Sequence, residues 1–300
     1  MHDKPLNIIC RPARPNDTPD VLELTKTIWE GRDYIPYVWE RWLADAEGKL
    51  IVAEHDGQVV GISKLSRLSQ EDWWMEGLRV HPEFEGRGIA SRLTDVTVQA
   101  WLEIGCGTVR LGTASFRLPV HHMCARLGFE KVNEQAPFYA PAIESKDNAP
   151  AFQAVAIQQI EEAANFARRS PSQTASGGLM DLGWRYAPPR AKYLAAAVER
   201  GLAWWWGGGE GLLTARIDED DELGNAPTIE LLACPLETIP QILLDLRRLA
   251  ASLGYSQAAW MAPLLASLLN ELEAAGYRRT WEDALYIFAK NHPVRPGKEA

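Results

Sequence analysis

The chain has 300 residues, 46% of them hydrophobic and 24% charged, a composition typical of a globular protein and a length that suits two domains. A formal net charge of −9, spread over both halves, argues against the basic stripe with which proteins bind nucleic-acid phosphates. No stretch approaches the roughly 18 apolar residues that span a bilayer, and the chain start lacks a signal-peptide pattern. We therefore expect a cytoplasmic protein with neither a nucleic-acid nor a membrane partner.

The four cysteines and six histidines form no metal-binding pattern. The cysteines lie far apart in the chain, at Cys10, Cys106, Cys124 and Cys234. His121 and His122 are adjacent, and neighbours on a helix point about 100° apart, so they cannot share a metal ion. We therefore expect no metal site and no disulfide framework.

A mixed α/β sheet is predicted for the first half of the chain, in the order β-α-α-β-β-β-α-β-α-β. Its strongest local signal is Asp56-Gly57, a hairpin turn between the β-rich runs Leu50–His55 and Gln58–Leu65. Further strands are predicted at Ile8–Arg14, Trp73–Val80, Val109–Thr113, Phe129–Asn133 and Pro137–Ala140. Helices are predicted at Pro19–Trp29, Tyr37–Ala46, Ile89–Leu102 and Pro119–Arg126.

A domain boundary is predicted in the polar, proline-bounded segment Glu144–Pro150. After it, Phe152–Arg169 has the spacing of an amphipathic helix, and Ser170–Gly178 has the composition of a loop. The predicted organisation is a working domain over 1–145, a linker helix and loop over 146–178, and a second domain over 179–300.

The order of elements recurs in the second half. Helices are predicted at Lys192–Gly201, Ile239–Ser252 and Leu264–Ala275, and strands on both sides of Gly207-Gly208-Gly209, at Thr228–Cys234 and at Ser256–Met261. Gly105 precedes Gly128 by 23 residues, and Gly254 precedes Gly276 by 22. We interpret the recurrence as an internal duplication. Because only the first copy contains a glycine-rich turn between strand and helix, we expect the chemistry in the first half.

That turn lies within Trp73–Leu93, the most informative stretch of the sequence. A strand runs into Gly86-Arg87-Gly88 and then directly into a helix. Glycines let the N–H groups point inward at the helix N-terminus, where the dipole contributes about half a positive charge. Such a turn can hold a pyrophosphate without a metal, with Arg87 pairing with phosphate. The alternative is an ordinary strand–helix turn; the Rossmann and P-loop fingerprints are both absent.

The same stretch resembles the signature of the GNAT N-acetyltransferases, which is (Gln or Arg)-x-x-Gly-x-(Gly or Ala) after a strand ending in Val-x-Pro. Here it reads Val80-His81-Pro82 followed by Glu85-Gly86-Arg87-Gly88-Ile89-Ala90. The resemblance covers about residues 8–140 and includes Leu127-Gly128-Phe129. It implies two tandem GNAT-like domains, the second degenerate, each with a mixed, mostly antiparallel sheet flanked by helices.

The resemblance also implies acetyl-CoA as the co-substrate and a set of residues that bind it. The pantetheine arm is expected on the main-chain amides of Leu78, Arg79 and Val80. The pyrophosphate is expected on those of Gly86, Arg87, Gly88, Ile89, Ala90 and Ser91.

Three positions depart from the family pattern. Glu85 stands where Gln or Arg is usual, and Arg117, included among the cofactor-binding residues, stands where the family often has Asn. Cys124 stands where the family often has a Tyr acting as general acid. A thiol can return a proton to the CoA thiolate, so Cys124 is a catalytic candidate, the alternative being a small buried residue.

Two further catalytic candidates lie in the strand Trp73–Val80. By resemblance, an N–H there, of Leu78 or Val80, would stabilise the developing oxyanion. Glu76 lies two residues before Leu78, so the strand period predicts that both face the same side. Glu76 is the candidate base, acting directly or through a water molecule; the alternative is a surface or salt-bridged carboxylate.

The acceptor amine is expected at the connection between the first two helices. Trp29, Asp33, Tyr34 and Tyr37 are the candidate substrate residues, because a carboxylate can pair with an ammonium and aromatic faces attract cations. The alternative is that these aromatic residues pack the core. The run Asp33-Tyr34-Ile35-Pro36 also resembles the corresponding segment of vertebrate histidine N-acetyltransferase-like proteins, which implies an amino-acid acceptor.

The preferred function is therefore direct, acetyl-CoA-dependent N-acetylation of a primary amine on a small molecule or amino acid, by a monomer or homodimer. One alternative is acetylation of a protein N-terminus or lysine. Another is a non-catalytic acyl-CoA-binding sensor, suggested by the departures at Glu85, Arg117 and Cys124.

Overall fold

The fold was analysed in a computed structural model that describes residues 7–26, 28–104, 106–144, 151–218 and 225–293. The described residues form two compact units that alternate along the chain. The first unit takes its residues from 1–112, 118–130 and 288–300, and the second from 113–117 and 131–287. The domain boundary predicted within Glu144–Pro150 stays a prediction. Gly105 and residues 145–150, on which the repeat spacing and that boundary depend, lie outside the described residues.

Most of the predicted elements are present with small shifts at their ends. The strands are β1 Ile8–Pro12, β2 Lys49–His55, β3 Gln58–Arg67, β4 Asp72–Val80, β5 Thr108–Ala114, β6 Glu130–Pro141, β7 Phe152–Ala154, β8 Met180–Asp181, β9 Tyr186–Ala187, β10 Ala203–Trp206, β11 Gly211–Asp218, β12 Ala226–Ala233, β13 Gln257–Pro263, β14 Arg278–Arg279 and β15 Leu285–Asn291. The α-helices are α1 Thr18–Thr25, α2 Ile35–Leu43, α3 Ile89–Ile104, α4 Leu118–Arg126, α5 Ile160–Arg169, α6 Pro171–Ala175, α7 Ala191–Glu199, α8 Ile239–Ser252 and α9 Ala266–Ala274.

The first unit contains an antiparallel meander, β1-β2-β3-β4, with β5 parallel to β4. The predicted hairpin turn is confirmed: Asp56 and Gly57 both have positive φ, at 49° and 86°, as a two-residue turn between twisted strands requires. The end of β15 also belongs to this unit. Asn291 Oδ1 accepts a hydrogen bond of 2.8 Å from Thr108 Oγ1, and His292 N donates one of 2.8 Å to Gly107 O.

Helices cover both faces of this sheet. Successive side chains of a strand point to opposite faces, and here both faces carry apolar side chains. On one face, residues of α1 and α2 pack against β2 and β3: Val21, Ile35, Trp39, Trp42, Val52, Val59 and Ile62. On the other face, the start of α3 packs against β1 to β3: Ile89, Leu93, Ile8, Ile51, Ala53 and Val60. The buried Ile89 therefore fixes the N-terminus of α3 against the sheet.

The second unit has a sheet in the order β6-β13-β12-β11-β10-β7, in which only β12 and β13 run parallel among the described pairs. One apolar core lies between this sheet and the helices α8 and α9. A second apolar core includes residues of α5 and α7 together with Trp205. This unit thus repeats the layering of the first, with a parallel strand pair next to an antiparallel meander.

Two predicted elements of the second unit were wrong. The single helix predicted over Phe152–Arg169 is a strand, Phe152–Ala154, followed by the helix Ile160–Arg169. The strand forms because Phe152–Ala154 pairs with Trp206–Trp204 of β10, a tertiary contact that helical spacing does not reveal. The loop predicted over Ser170–Gly178 contains the helix Pro171–Ala175, which begins with a proline at a position that favours it.

None of the described helices combines the length and the apolar character that crossing a bilayer demands.

Candidate functional site

The centre of the candidate site is an irregularity in β4, in the first unit. Against β3, Glu76 lies opposite Lys64 whereas Arg79 lies opposite Ile62, so β4 has one residue more than its partner, a β-bulge at Gly77 and Leu78. A bulge leaves its extra residue outside the ladder of hydrogen bonds. Gly77 has φ +67°, and a Cβ there would lie 2.6 Å from the Trp42 ring. Only glycine fits this position.

Beyond the bulge, β4 also departs from its other neighbour. Among the described residues, β4 and β5 pair only where Asp72–Trp74 lies beside Thr108–Arg110. An ion pair of 2.8 Å between Asp72 and Arg110 links the two strands there. From Met75 to Val80, β4 has no backbone partner on β5 among the described pairs. The Gly77 N–H interacts with the Tyr34 hydroxyl. The other edge amides of this part of β4 are open to a ligand that inserts beside the strand.

The glycine-rich turn follows directly. Gly86 and Gly88 have φ of +72° and +79°, and a Cβ built on either would meet no atom within 4 Å. Arg92 N donates to Gly88 O at 3.0 Å, so the α3 hydrogen bonds begin here and the amides of Ile89, Ala90 and Ser91 have no acceptor within the helix. The turn is therefore open and donor-rich at a helix N-terminus, the arrangement that binds anions.

The charged side chains of this turn leave it open. Glu85 is exposed, with φ −63° and ψ 158°. The guanidinium of Arg87 lies over the Phe84 ring, 5.6 Å from its centre. Phe84 itself packs against the cluster that contains Ile89. The phosphate contacts expected of Arg87 and of the turn amides stay predictions, and this geometry is compatible with them.

The bulge corrects the prediction that Glu76 and Leu78 face the same side. Leu78 and Val80 pack on the α3 side of the sheet. Arg79 lies on the other side, with its guanidinium 5.7 Å from the centre of the Tyr34 ring, and the charge of Glu76 acts on the same tyrosine. The extra residue of the bulge reverses the alternation of side chains, so Glu76 shares a face with Arg79.

Glu76 is half-buried, and Ser66 Oγ donates a hydrogen bond of 2.5 Å to its Oε1. It also influences Tyr34: desolvation raises the pKa of the Tyr34 hydroxyl to about 12, and the negative charge of Glu76 adds to the shift. Tyr34 is therefore neutral at physiological pH. Glu76 as the base and a main-chain amide at Leu78 as the oxyanion donor remain predictions.

Three of the four predicted substrate residues lie together, in an unpredicted arrangement. Trp29 and Tyr34 stack with ring centres 6.5 Å apart, and Tyr34 meets Trp42 edge-on at 6.0 Å. Asp33 is buried beside them, with 2% of its surface exposed. Tyr37 points elsewhere: it is 89% exposed, so the structure does not bring it into this group.

Asp33 already has an ion-pair partner within the chain, Arg79, which argues against its expected role as the partner of a substrate ammonium. Arg79 Nε donates to Asp33 Oδ2 at 2.8 Å, and Nη2 donates to Oδ1 at 3.2 Å. Asp33 also accepts the N–H of Ile35 at 3.2 Å. The group that this carboxylate positions at the site is therefore the guanidinium of Arg79, which the sequence placed in the cofactor set through its amide alone.

The helix predicted over Pro19–Trp29 ends earlier, at Thr25, and a strained turn follows. Trp29 and Glu30 have φ of 49° and 59°, and Gly31 has 84°. Left-handed conformations cost about 1–2 kcal/mol for a residue with a Cβ. The turn places the Trp29 ring over the Arg79 guanidinium, 4.4 Å from its centre, within the range of a cation–π contact.

The remaining predicted residues contribute less. Cys124 is buried, and desolvation raises the pKa of its thiol to about 12. Proton transfer from such a thiol to a thiolate of ordinary pKa, about 8.5, is unfavourable by about 5 kcal/mol. The structure favours the alternative of a small buried residue. Arg117 belongs to the second unit, where it is exposed and lies over the Phe116 ring, and its cofactor role stays a prediction.

No group of three or more His, Cys, Asp or Glu residues that could hold a metal ion was found in the described part of the chain.

Comparison with known proteins shows matches over the first half. Residues 18–129 match the model of the acetyltransferase (GNAT) family. A histidine N-acetyltransferase from Oreochromis niloticus is 30% identical over 82 residues, which are 27% of this chain and 24% of that protein. The chain thus aligns with about a quarter of the length of its curated relatives. The resemblance noted in the sequence is confirmed at this level.

Solved structures match nearly the whole chain. A GCN5-related N-acetyltransferase from Sphaerobacter thermophilus has a TM-score of 0.62 at 14% identity and covers 96% of each chain. A tandem GNAT protein from the clavulanic acid biosynthesis pathway has a TM-score of 0.59 at 11% identity, over 96% of this chain and 100% of that one. At this identity the likeness shows the fold, and it confirms the prediction of two GNAT-like domains.

Proposed function

Because residues 18–129 belong to the acetyltransferase (GNAT) family, we propose that the chain is an N-acetyltransferase that transfers the acetyl group of acetyl-CoA directly to a primary amine of a small molecule or amino acid. One observation carries this proposal. The glycine bulge of β4 is followed, within one continuous segment, by an open turn at a helix N-terminus whose first amides have no acceptor within the helix.

The residues of this segment fit the co-substrate. The space beside Gly86 and Gly88 is open where a side chain would otherwise project, and free amides there suit a pyrophosphate. The unpaired edge of β4 from Leu78 to Val80 suits the amide groups of a pantetheine arm, as a peptide adds to a strand edge. When bound, acetyl-CoA supplies an acetyl group activated as a thioester.

The chain's own groups then meet two requirements of acyl transfer. The main-chain amide of Leu78, at the bulge, would donate to the thioester oxygen as negative charge develops there. Glu76 would accept the proton that the amine gives up, directly or through water. An α-amine of pKa about 8 is roughly one-tenth neutral at pH 7, so a base assists without having to supply the whole rate. The bulge would also orient the thioester relative to the amine, and correct orientation of the reactants increases the rate independently of acid–base catalysis.

The test begins with a thermal-shift titration of the protein with acetyl-CoA. A ligand at 100 times its Kd stabilises a protein by about 2.7 kcal/mol, so a saturable rise in Tm is expected. A release assay for the free thiol then follows, over a panel of amino acids, alkylamines, and peptides with free N-termini or lysines.

Acetyl-CoA-dependent thiol release with a small amine supports the proposal. A saturable Tm rise without thiol release for any amine would identify a sensor, and preference for the peptides would identify a protein acetyltransferase. If acetyl-CoA leaves Tm unchanged, the proposal is contradicted.

A further inference from the structure

We propose that the guanidinium of Arg79 binds a carboxylate of the acceptor, so that the acceptor is an amino acid rather than a simple amine. This inference rests on the proposed function and names the class of its acceptor. The Arg79 side chain lies on the face of β4 that carries Glu76, the candidate base.

The spacing of the two side chains suits an amino acid. The residues of β3 opposite Glu76 and Arg79 are Lys64 and Ile62, two positions apart, so the two β4 residues are about 7 Å apart along the strand. An α-amino acid carries its ammonium and carboxylate on one carbon atom. With a hydrogen bond of about 2.9 Å at each end, it can reach both groups, its ammonium toward Glu76 and its carboxylate toward Arg79.

The hydrogen bonds of Arg79 leave one edge of its guanidinium for a ligand. Nε and Nη2 donate to Asp33, and Nη1 donates to Leu78 O at 3.1 Å. A guanidinium has five N–H groups in one plane. Asp33 accepts from Nε and from one N–H of Nη2, and Leu78 O accepts from one N–H of Nη1. Within the described residues, the second N–H on each of Nη1 and Nη2 therefore has no acceptor. With Leu78 O on the inner N–H of Nη1, these two N–H groups would be the parallel outer pair, which matches a carboxylate in the bidentate geometry that arginine favours.

The surroundings hold this group in place while leaving it accessible. Asp33 fixes the guanidinium from the buried side, and Trp29 covers its face at 4.4 Å. The Arg79 side chain retains 14% exposure, and half of Trp29 is exposed. The left-handed conformation at Trp29 and Glu30 is the kind of local strain that persists at ligand-binding sites.

The charges around Arg79 also favour a zwitterion. Asp33 balances the charge of the guanidinium, and Glu76 adds a negative charge on the same face. A substrate that carries only a cation leaves the outer N–H pair of Arg79 without a hydrogen-bond acceptor. A substrate that carries only an anion is repelled by the charge of Glu76. An amino acid satisfies both groups.

The test compares pairs of acceptors that differ only in the carboxylate, with L-histidine and histamine as the first pair and a second amino acid with its decarboxylated amine as the next. We expect wild-type kcat/KM to be higher for the amino acid of each pair by about 30- to 100-fold, the factor of a charge-assisted hydrogen-bonded pair. Arg79→Lys should lower this preference to a few-fold, because KM should rise much more for the amino acid than for the amine.

Arg67→Lys is the matched control. Arg67 is also a strand arginine that forms an ion pair, with Glu47 at 3.1 Å, and lies over a tryptophan, Trp73, at 5.5 Å. Its replacement should leave the preference unchanged. Asp33→Asn, which removes the positioning partner, should raise KM for the amino acid with little change in kcat.

The outcomes separate the two proposals. Equal wild-type activity on both members of each pair overturns the carboxylate inference and leaves the acetyltransferase intact, and this comparison needs no variant. An equal loss on both acceptors in Arg79→Lys overturns it too, because a merely structural arginine gives that result. Binding of acetyl-CoA without transfer to any acceptor overturns the proposed function together with the inference that rests on it.

Discussion

The junction of β4 with α3 in the first unit corresponds to the junction of β12 with α8 in the second. The two junctions share the same order of elements but differ in the residues that occupy the bulge. Both strands carry a bulge. In β12, Thr214 pairs with Leu231 and Ala215 with Ile229, which leaves Glu230 as the extra residue. In β4 the bulge consists of Gly77 and Leu78, which lie opposite the single residue Ser63 of β3. Glu230 fills its bulge with a buried carboxylate, whose Oε2 lies 2.7 Å from Nη2 of Arg200.

The edge beyond the bulge differs as well. In the second unit Ser172 Oγ donates to Leu232 O and accepts from Cys234 N, both at 2.8 Å. Ser170 Oγ donates to Cys234 O at 3.0 Å. The chain itself therefore occupies the edge groups that the first unit leaves available, and the segment from Cys234 to Thr238 contains no glycine. The comparison teaches that the fold supplies a bulge, whereas small residues and an uncovered edge decide whether it can bind a ligand.

The largest effect is expected from closing the first bulge with Gly77→Ala. The new Cβ would lie 2.6 Å from Trp42 at a φ of +67°, so the bulge must shift. We expect kcat/KM to fall by about a hundred- to a thousandfold, as for a lost oxyanion donor, with a stability loss of about 2–4 kcal/mol. Gly183→Ala is the control, at a φ of +75° with open space. Near-normal activity in folded Gly77→Ala protein would show that the reaction does not depend on the bulge.

The next largest effect concerns the filled bulge and is a change in stability. Desolvation raises the pKa of Glu230 to about 7, although Arg200 opposes the shift. Because the pKa is higher in the folded than in the unfolded state, the folded protein holds the proton more tightly. Stability is therefore lost as pH rises from about 4.5 to about 7, by about 3 kcal/mol at full ionisation.

Glu230→Gln should remove this pH-dependent loss and raise the free energy of unfolding above pH 7, with Arg200 rehydrating because 42% of its side chain is exposed. Denaturant unfolding between pH 4.5 and 8 measures it, with the exposed Glu237→Gln as control. Parallel stability–pH curves for wild type and variant would show that Glu230 is not destabilising when charged.

A smaller effect is expected at the glycine-rich turn. Gly88→Ala places a Cβ in space that is empty within 4 Å, where the pyrophosphate is expected. We predict a Kd for acetyl-CoA about ten times weaker by calorimetry. Gly208→Ala, in the second unit, has the same combination of positive φ and open surroundings and so should lose similar stability, about 1 kcal/mol, without losing affinity. Equal affinities in the two variants would place the co-substrate elsewhere.

The smallest effect is expected from Cys124→Ala. A thiol whose pKa is near 12 cannot serve as an efficient acid at neutral pH, so kcat should stay within about threefold of wild type. A general acid contributes 100-fold or more, and a loss of that size would restore Cys124 to the mechanism. The pH profile of kcat should likewise be the same in both proteins.

The sequence predicted an element correctly where a few neighbouring residues are the physical cause of that element. Asp56-Gly57 predicted its hairpin, and Ile239–Ser252 was predicted with the bounds that the structure shows. The turn at Gly86 and Gly88 was found because glycines at a strand–helix junction have a local meaning. The bulge has a weaker signal in the sequence, a glycine inside a predicted strand, Gly77.

What the sequence by itself determined is therefore most of the local elements, the family likeness and the glycine-rich segment where a diphosphate is expected, since each depends on neighbours within a turn or two of chain. Only the tertiary structure decided that Glu76 shares a face with Arg79, that Asp33 bonds a guanidinium 46 residues away, and that Ser170 and Ser172 cover the edge of β12. Such pairings depend on which surfaces meet when sheet and helices pack, and one residue inserted in a strand reverses every side chain that follows.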